Sequence, residues 1–193
     1  VEFLDRREGI AAYELNISCP NVKKEGACPA LSPRTTFDLV KRIKAASRRP
    51  VITKLSPNVT SIVEIAQAAE EAGTDAVALV NTFLAMAVDL ETRRPKLGNV
   101  YGGLSGPAIK PIALRMVHQV ASRLKVPVIG MGGITTGADA LEFLVAGAAA
   151  VEVGTASFVD PDAAVRIVAE IETWCEAHGV KAVRDVVGTL RTA

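Results

Sequence analysis

Histidine is almost missing from this 193-residue chain, which has only His118 and His178. Cysteine is scarce too, at three. Cys19, Cys28 and Cys175 form neither a C-x-x-C pair nor an even set, so neither a disulfide scaffold nor a zinc site is supported, and a reducing, cytoplasmic setting fits. Aromatic residues make up 4%, too few for the stacking platforms that hold single-stranded nucleic acid. There is no charge excess: 22 Lys and Arg against 21 Asp and Glu leave a net charge of +1. No bulk attraction therefore draws the chain to nucleic acid or to a membrane. No apolar run is long enough to span a bilayer, and no signal-peptide pattern is present. The first residue is not Met, and residues 1–7 read as the tail of a helix whose beginning is missing.

What is present is an apolar chain, 49% hydrophobic, with enough length for one domain over residues 1–193. Short apolar runs alternate with helical periodicity. A strand leads through Tyr13, Leu15 and Ile17 and is stopped near Cys19 by Pro20, which has no amide hydrogen. Residues 22–33, rich in Lys, Gly and Pro, read as a loop. Thr35 or Thr36 can cap a helix reaching Ser47. A strand at 51–55 precedes a helix at 61–72 with Gly73 as its stop. A strand at 75–80 ends in Asn81-Thr82. Residues 83–107 show no period of their own, and so long an insertion is usually functional. A helix at 109–124, a strand at 126–130, a helix at 139–146 and a strand at 150–153 follow. A helix at 162–178 and a short closing helix at 183–190 complete the chain.

Five such alternations with short apolar strands predict parallel β/α units, buried on both faces of the sheet. A weak internal echo supports this: Gly73 to Asn81 and Gly147 to Thr155 both run from a helix-stop glycine through a buried strand to a polar end. A (β/α)₈ TIM barrel takes about 250 residues. The expectation is therefore the last five units of such a barrel, with about three missing before Val1.

In parallel sheets, ligands sit at the carboxyl ends of the strands. There the sequence places Asn16, Cys19 and Asn21, then Lys54, then Asn81 and Thr82, then Gly132-Gly133, then Gly154-Thr155. Each has a plainer reading. A lone Cys is commonly a small buried hydrophobe. Lys54 either meets an anion in the barrel mouth or snorkels to the surface. Asn81 can simply make a turn. The glycines can serve tight turns, or they can let backbone amides approach a phosphate, which in barrels often lies after the last two strands. His118 and His178 fall within helices and read as solvated or packing residues. The strand ends thus offer one thiol, one lysine, three amides and no carboxylate pair. Glycosidase, serine-hydrolase and metal chemistry are poorly supported.

These stretches carry a resemblance. NISCPN at 16–21, TKLSPN at 53–58, VNT at 80–82, GGLSGPAIKPIALRMV at 102–117, GMGGI at 130–134 and VEVGTA at 151–156 resemble, in order, the class 1 dihydroorotate dehydrogenases. The CPNVK wording is closer to the NAD-linked B type than to the fumarate-linked A type. The resemblance implies an FMN enzyme of pyrimidine biosynthesis that oxidises dihydroorotate to orotate. Cys19 matches the base that takes the C5 proton while a hydride leaves C6 for flavin N5. Lys54 matches the lysine beside the flavin ring. Asn16, Asn21, Asn81 and Thr82 match groups that hold the pyrimidine. Asn16, Val80 and Gly106 match positions lining the flavin, and Gly132, Gly133, Gly154 and Thr155 match the FMN phosphate site. A B-type chain implies a partner subunit carrying FAD and an iron–sulfur cluster, for which this chain has no cysteine set.

Two departures stand out. The family's first three strands are absent, and 23–29 reads KKEGACP where a Gly-Gly-x-x-Phe-Gly-like stretch is usual, so Cys28 is unexpected. Two rival readings follow. One is a related flavin barrel acting on another reduced pyrimidine, in the manner of dihydropyrimidine dehydrogenases. The other is an inactive partial barrel that self-associates through its open edge, making a homo-oligomer.

Overall fold

The computed structural model describes residues 1–18 and 31–191. A short helix α1 (Glu2–Asp5) leads into strand β1 (Tyr13–Asn16). Helix α2 (Pro33–Ala46), strand β2 (Val51–Lys54), helix α3 (Ile62–Glu71) and strand β3 (Ala76–Leu79) follow. Then come four ribbon strands, β4 (Phe83–Met86), β5 (Val88–Asp89), β6 (Arg94–Pro95) and β7 (Tyr101–Leu104). The chain continues with α4 (Lys110–Ala121), β8 (Val128–Met131), α5 (Gly137–Val145), β9 (Ala150–Glu152), α6 (Ala156–Val159) and α7 (Ala163–Ala177).

The main sheet has five parallel strands in the order β1-β2-β3-β8-β9. That order follows the chain without reversal, so each new unit adds on the same side. This is the winding of a barrel, and it lacks the switch point of a doubly wound sheet. The fold is therefore the expected TIM-barrel arrangement, represented here by five consecutive units.

The outward sheet face packs on the helices. Val51, Leu55, Val77, Leu79, Val117, Val120 and Phe143 are essentially solvent-free at this seam. Gly130 lets β8 approach α5, since a methyl there would lie 2.6 Å from Phe143 Cδ1. The opposite, concave face carries Glu14, Asn16, Lys54, Met131 and Glu152. Pleat alternation puts these side chains on one face, in register across the strands.

Helix boundaries follow their caps. Ser61 Oγ accepts from Glu64 N at the start of α3. The helix expected from Asp139 starts at Gly137 instead, because Thr136 is the cap and the Asp139 side chain closes a reciprocal capping box on it. The helix expected after Thr35 or Thr36 starts at Pro33, with Ser32 preceding it. Strand β1 ends at Asn16, earlier than Cys19, as Ile17 N turns back to Leu15 O at 2.9 Å. The closing helix over 183–190 is only a 3-10 turn, Val183–Val186, which presses Val186 onto Leu141 and Leu144.

The stretch at 83–107, read as lacking any period, forms nested antiparallel ribbons. β4 pairs with β7 and β5 with β6. In β4 the half-buried Phe83 and Ala85 alternate with exposed Leu84 and Met86. All four are apolar, so the alternation is invisible to hydropathy.

Candidate functional site

Strand ends converge on an open cleft at the carboxyl side of the sheet, with a cavity volume of about 190 Å³. Lys54 lines its floor, Val80, Asn81 and Thr82 one wall, and Gly106, Gly132, Gly133, Gly154 and Thr155 the other. Nine candidate residues from four strand ends and the segment after the ribbon thus face one space. Asn16 joins them through a hydrogen bond described next. Cys19 and Asn21, and with them Cys28, lie outside the described residues.

One corner is an amide network. Asn81 Nδ2 donates to Ser18 Oγ at 2.6 Å and to Asn16 Oδ1 at 3.2 Å. Ser18 Oγ donates in turn to Asn16 Oδ1 at 3.0 Å. Asn81 Oδ1 receives the Thr82 amide at 2.8 Å. Ser18 is buried and was not singled out from sequence. Its signal was its place between two candidate asparagines in the same strand-end loop. Asn58 was also passed over. Its Nδ2 donates to Thr82 O at 3.0 Å and its Oδ1 accepts from Leu84 N at 2.9 Å, so it fixes the turn that presents Asn81 and Thr82.

The opposite corner is built from backbone. Gly132 and Gly133 have φ of +124° and +77°, where only glycine sits without strain. A methyl on Gly133 would lie 2.8 Å from Gly106 O and 2.9 Å from Lys110 N. One on Gly132 would lie 2.8 Å from Ala113 Cβ. These two glycines are therefore required by close packing on α4. Gly154 differs: a methyl there would meet nothing within 4 Å. Among the described residues, the amides of Gly132, Gly133, Gly154 and Thr155 donate to no backbone carbonyl. Thr155 Oγ1 donates to Ser105 Oγ at 2.9 Å, placing two hydroxyls beside these amides.

The floor corrects one sequence expectation. A carboxylate pair is present. Lys54 Nζ lies 3.0 Å from Glu14 Oε1 and 3.7 Å from Glu152 Oε2. Glu14 was hidden because it precedes the strand end, and Glu152 because it sits inside an apolar run. Burial, then the hydrogen bond and charge of Glu14, push the Glu152 carboxyl up to about 7, against the opposing pull of Lys54. Lys54 is thus a paired, inward lysine, and the snorkelling alternative is not what the structure shows. The histidines are remote: His118 Nδ1 meets Ala146 O at 3.2 Å, and His178 stacks on Trp174 at 4.2 Å.

The family model for dihydroorotate dehydrogenase matches residues 6–174. The chain belongs to the dihydroorotate dehydrogenase family. It is 56% identical, over 98% of its length, to the catalytic subunit of dihydroorotate dehydrogenase B (NAD(+)) from Geobacter sulfurreducens. A relative from Solibacter usitatus, 52% identical over 99% of the chain, is instead named for the A (fumarate) type. The chain spans about 62% of the length of each of these relatives. Among solved structures it resembles DHODH from Eimeria tenella in complex with ferulenol, with a TM-score of 0.77 and 25% identity, covering 93% of this chain and 54% of that one. No helix among the described residues is long and apolar enough to cross a membrane.

Family members use a flavin, and the residues of the cleft fit FMN. Four backbone amides without backbone partners and two hydroxyls suit a phosphate. The Asn16, Ser18, Asn81 and Thr82 corner suits the polar edge of a planar ring. The cleft takes part of such a molecule, since whole-cofactor sites run to several hundred Å³.

Proposed function

We propose that this chain carries the FMN-phosphate and pyrimidine side of a dihydroorotate dehydrogenase of the NAD-linked B type. The observation that carries this reading is the gathering of unpartnered amides, paired lysine and asparagine network around one cleft. FMN, when bound, supplies the hydride acceptor. The chain's own residues supply the rest. Cys19, three residues beyond Asn16, takes the C5 proton of dihydroorotate as a thiolate base. Asn16, Asn21, Asn81 and Thr82 hydrogen-bond the ring and carboxylate of the substrate. A site built this way rejects analogues lacking a group, because buried amides are then left unpaired. Val80 and Gly106 line the ring, and Gly132, Gly133, Gly154 and Thr155 hold the phosphate. Electrons leave through a partner subunit carrying FAD and an iron–sulfur cluster, in the cytoplasm.

The test is an absorbance spectrum of the purified protein, followed by titration with orotate and with uracil. A flavin band shifted by orotate and not by uracil supports the reading. Equal response to uracil transfers the site to another reduced pyrimidine. Oxidation of dihydroorotate by fumarate without a partner would overturn the NAD-linked assignment.

A further inference from the structure

Lys54 is not alone on the cleft floor, and its two companions come from opposite ends of the sheet. Glu14 lies on β1, the first strand, and Glu152 on β9, the last. Between them β2 brings Lys54, while β3 and β8 present Ala78, Val80, Ile129 and Met131, which carry no charge. The charged groups facing Glu152 are therefore Glu14 and Lys54. Lys54 Nζ sits 3.0 Å from Glu14 and 3.7 Å from Glu152, and it is about one-fifth exposed.

We propose that Glu14 and Glu152 are positioning residues for Lys54, fixing where its ammonium points and setting how much of its charge the bound flavin feels. This rests on the FMN reading given above. The charge arithmetic is simple. When the carboxylate pair holds one proton, the three groups sum to zero. When that proton leaves, they sum to one negative charge. Glu152 is the group pushed upward, to about 7, by burial and by Glu14, so the change falls near neutral pH. Removing either carboxylate leaves one acid against one lysine, which sum to zero at the higher pH; in Glu14→Gln the burial that raises Glu152 persists.

The test uses FMN-loaded full-length protein and sulfite, an anion that adds to oxidised flavin, bleaches it and reports nearby positive charge. Sulfite affinity is measured at about pH 5.5 and about pH 8.5, at constant ionic strength, for wild type, Glu152→Gln and Glu14→Gln. At the lower pH wild type and Glu152→Gln should agree within about twofold, and Glu14→Gln should bind at least as tightly, because burial still holds Glu152 up. At the higher pH both variants should bind sulfite about tenfold more tightly than wild type, the scale of one unit charge in a partly solvated site. Two variants from two strands keep the test open if one of them folds poorly. Equal affinities at the higher pH overturn the proposal. Lys54→Gln separates the two levels. If it leaves sulfite affinity unchanged, Lys54 does not face the flavin and the FMN placement fails. If it weakens sulfite binding while neither glutamate variant changes it, only the present inference fails.

Discussion

Replacing Gly154 and Gly133 by alanine, one at a time, separates ligand binding from packing. At Gly133 the new methyl would sit 2.8 Å from Gly106 O and 2.9 Å from Lys110 Cβ, at φ +77°. A left-handed alanine costs about 1–2 kcal/mol, and overpacking costs about 1–3 kcal/mol. Their sum is about 2–5 kcal/mol, or roughly 4–20 °C in melting temperature for a domain near this size. At Gly154 the methyl meets nothing within 4 Å. Restricting the unfolded chain then stabilises by about 0.4–1 kcal/mol at most. Thermal unfolding without ligand reads both values. FMN titration, followed by flavin fluorescence, reads the site. Gly154→Ala should keep or raise the melting temperature while weakening FMN about tenfold, because the methyl enters the space beside the free amides. Undiminished FMN affinity in a stable Gly154→Ala protein would refute the placement of the phosphate at that edge. Gly132 is a poor probe by comparison, since any side chain there strikes Ala113 whatever is bound.

Cys19→Ala should abolish flavin reduction by dihydroorotate at neutral pH while FMN stays bound; retained reduction in rapid mixing would remove Cys19 as the base. Asn58→Ala removes both bonds that hold the Thr82 turn, so hydrogen exchange should rise over β4 and the Michaelis constant for dihydroorotate should increase severalfold, at a cost of about 1–2 kcal/mol. Asp139 is raised by burial, but its bonds to Lys110, Thr135 and Thr136 outweigh that and hold its carboxyl well below the usual range. A depressed carboxyl stabilises the fold above its unfolded value and loses that contribution as pH falls toward the folded one. Asp139→Asn should therefore lower stability at neutral pH by about 2 kcal/mol and flatten the acid limb of a melting-temperature profile below about pH 4. Phe143→Ala, at a fully buried site, should cost about 3–5 kcal/mol in denaturant unfolding.

The sheet was legible in the sequence because its strands are short, apolar and punctuated by polar ends. The strand ends were legible for the same reason, as the convergence of Lys54, Asn81 and Gly132 shows. Three things were not. Glu152 looks like one polar residue in an apolar strand, and only the curl of the sheet brings it to Glu14 and Lys54. The ribbon strands were hidden because both faces of β4 are apolar. Ser18 and Asn58 act through backbone and amide geometry, which spacing does not encode. Cap chemistry misled at α5, where Asp139 reads as a start but serves the third position of a helix capped by Thr136.

The ribbon has a mechanical consequence. One of its legs leaves from Asn81 and Thr82 and the other lands at Ser105 and Gly106, on opposite walls of the cleft. Its base is wedged against the site: a methyl on Gly103 would come within 2.2 Å of Thr82 Oγ1. Its far end carries Leu90, 83% exposed, with Leu84, Met86 and Tyr101 also open to solvent. The ribbon therefore connects an exposed apolar tip to the Asn81 and Thr82 corner of the cleft. If a body bound at the tip favours one setting of the cleft walls, reciprocity requires that a molecule bound between the walls favours or opposes that body equally.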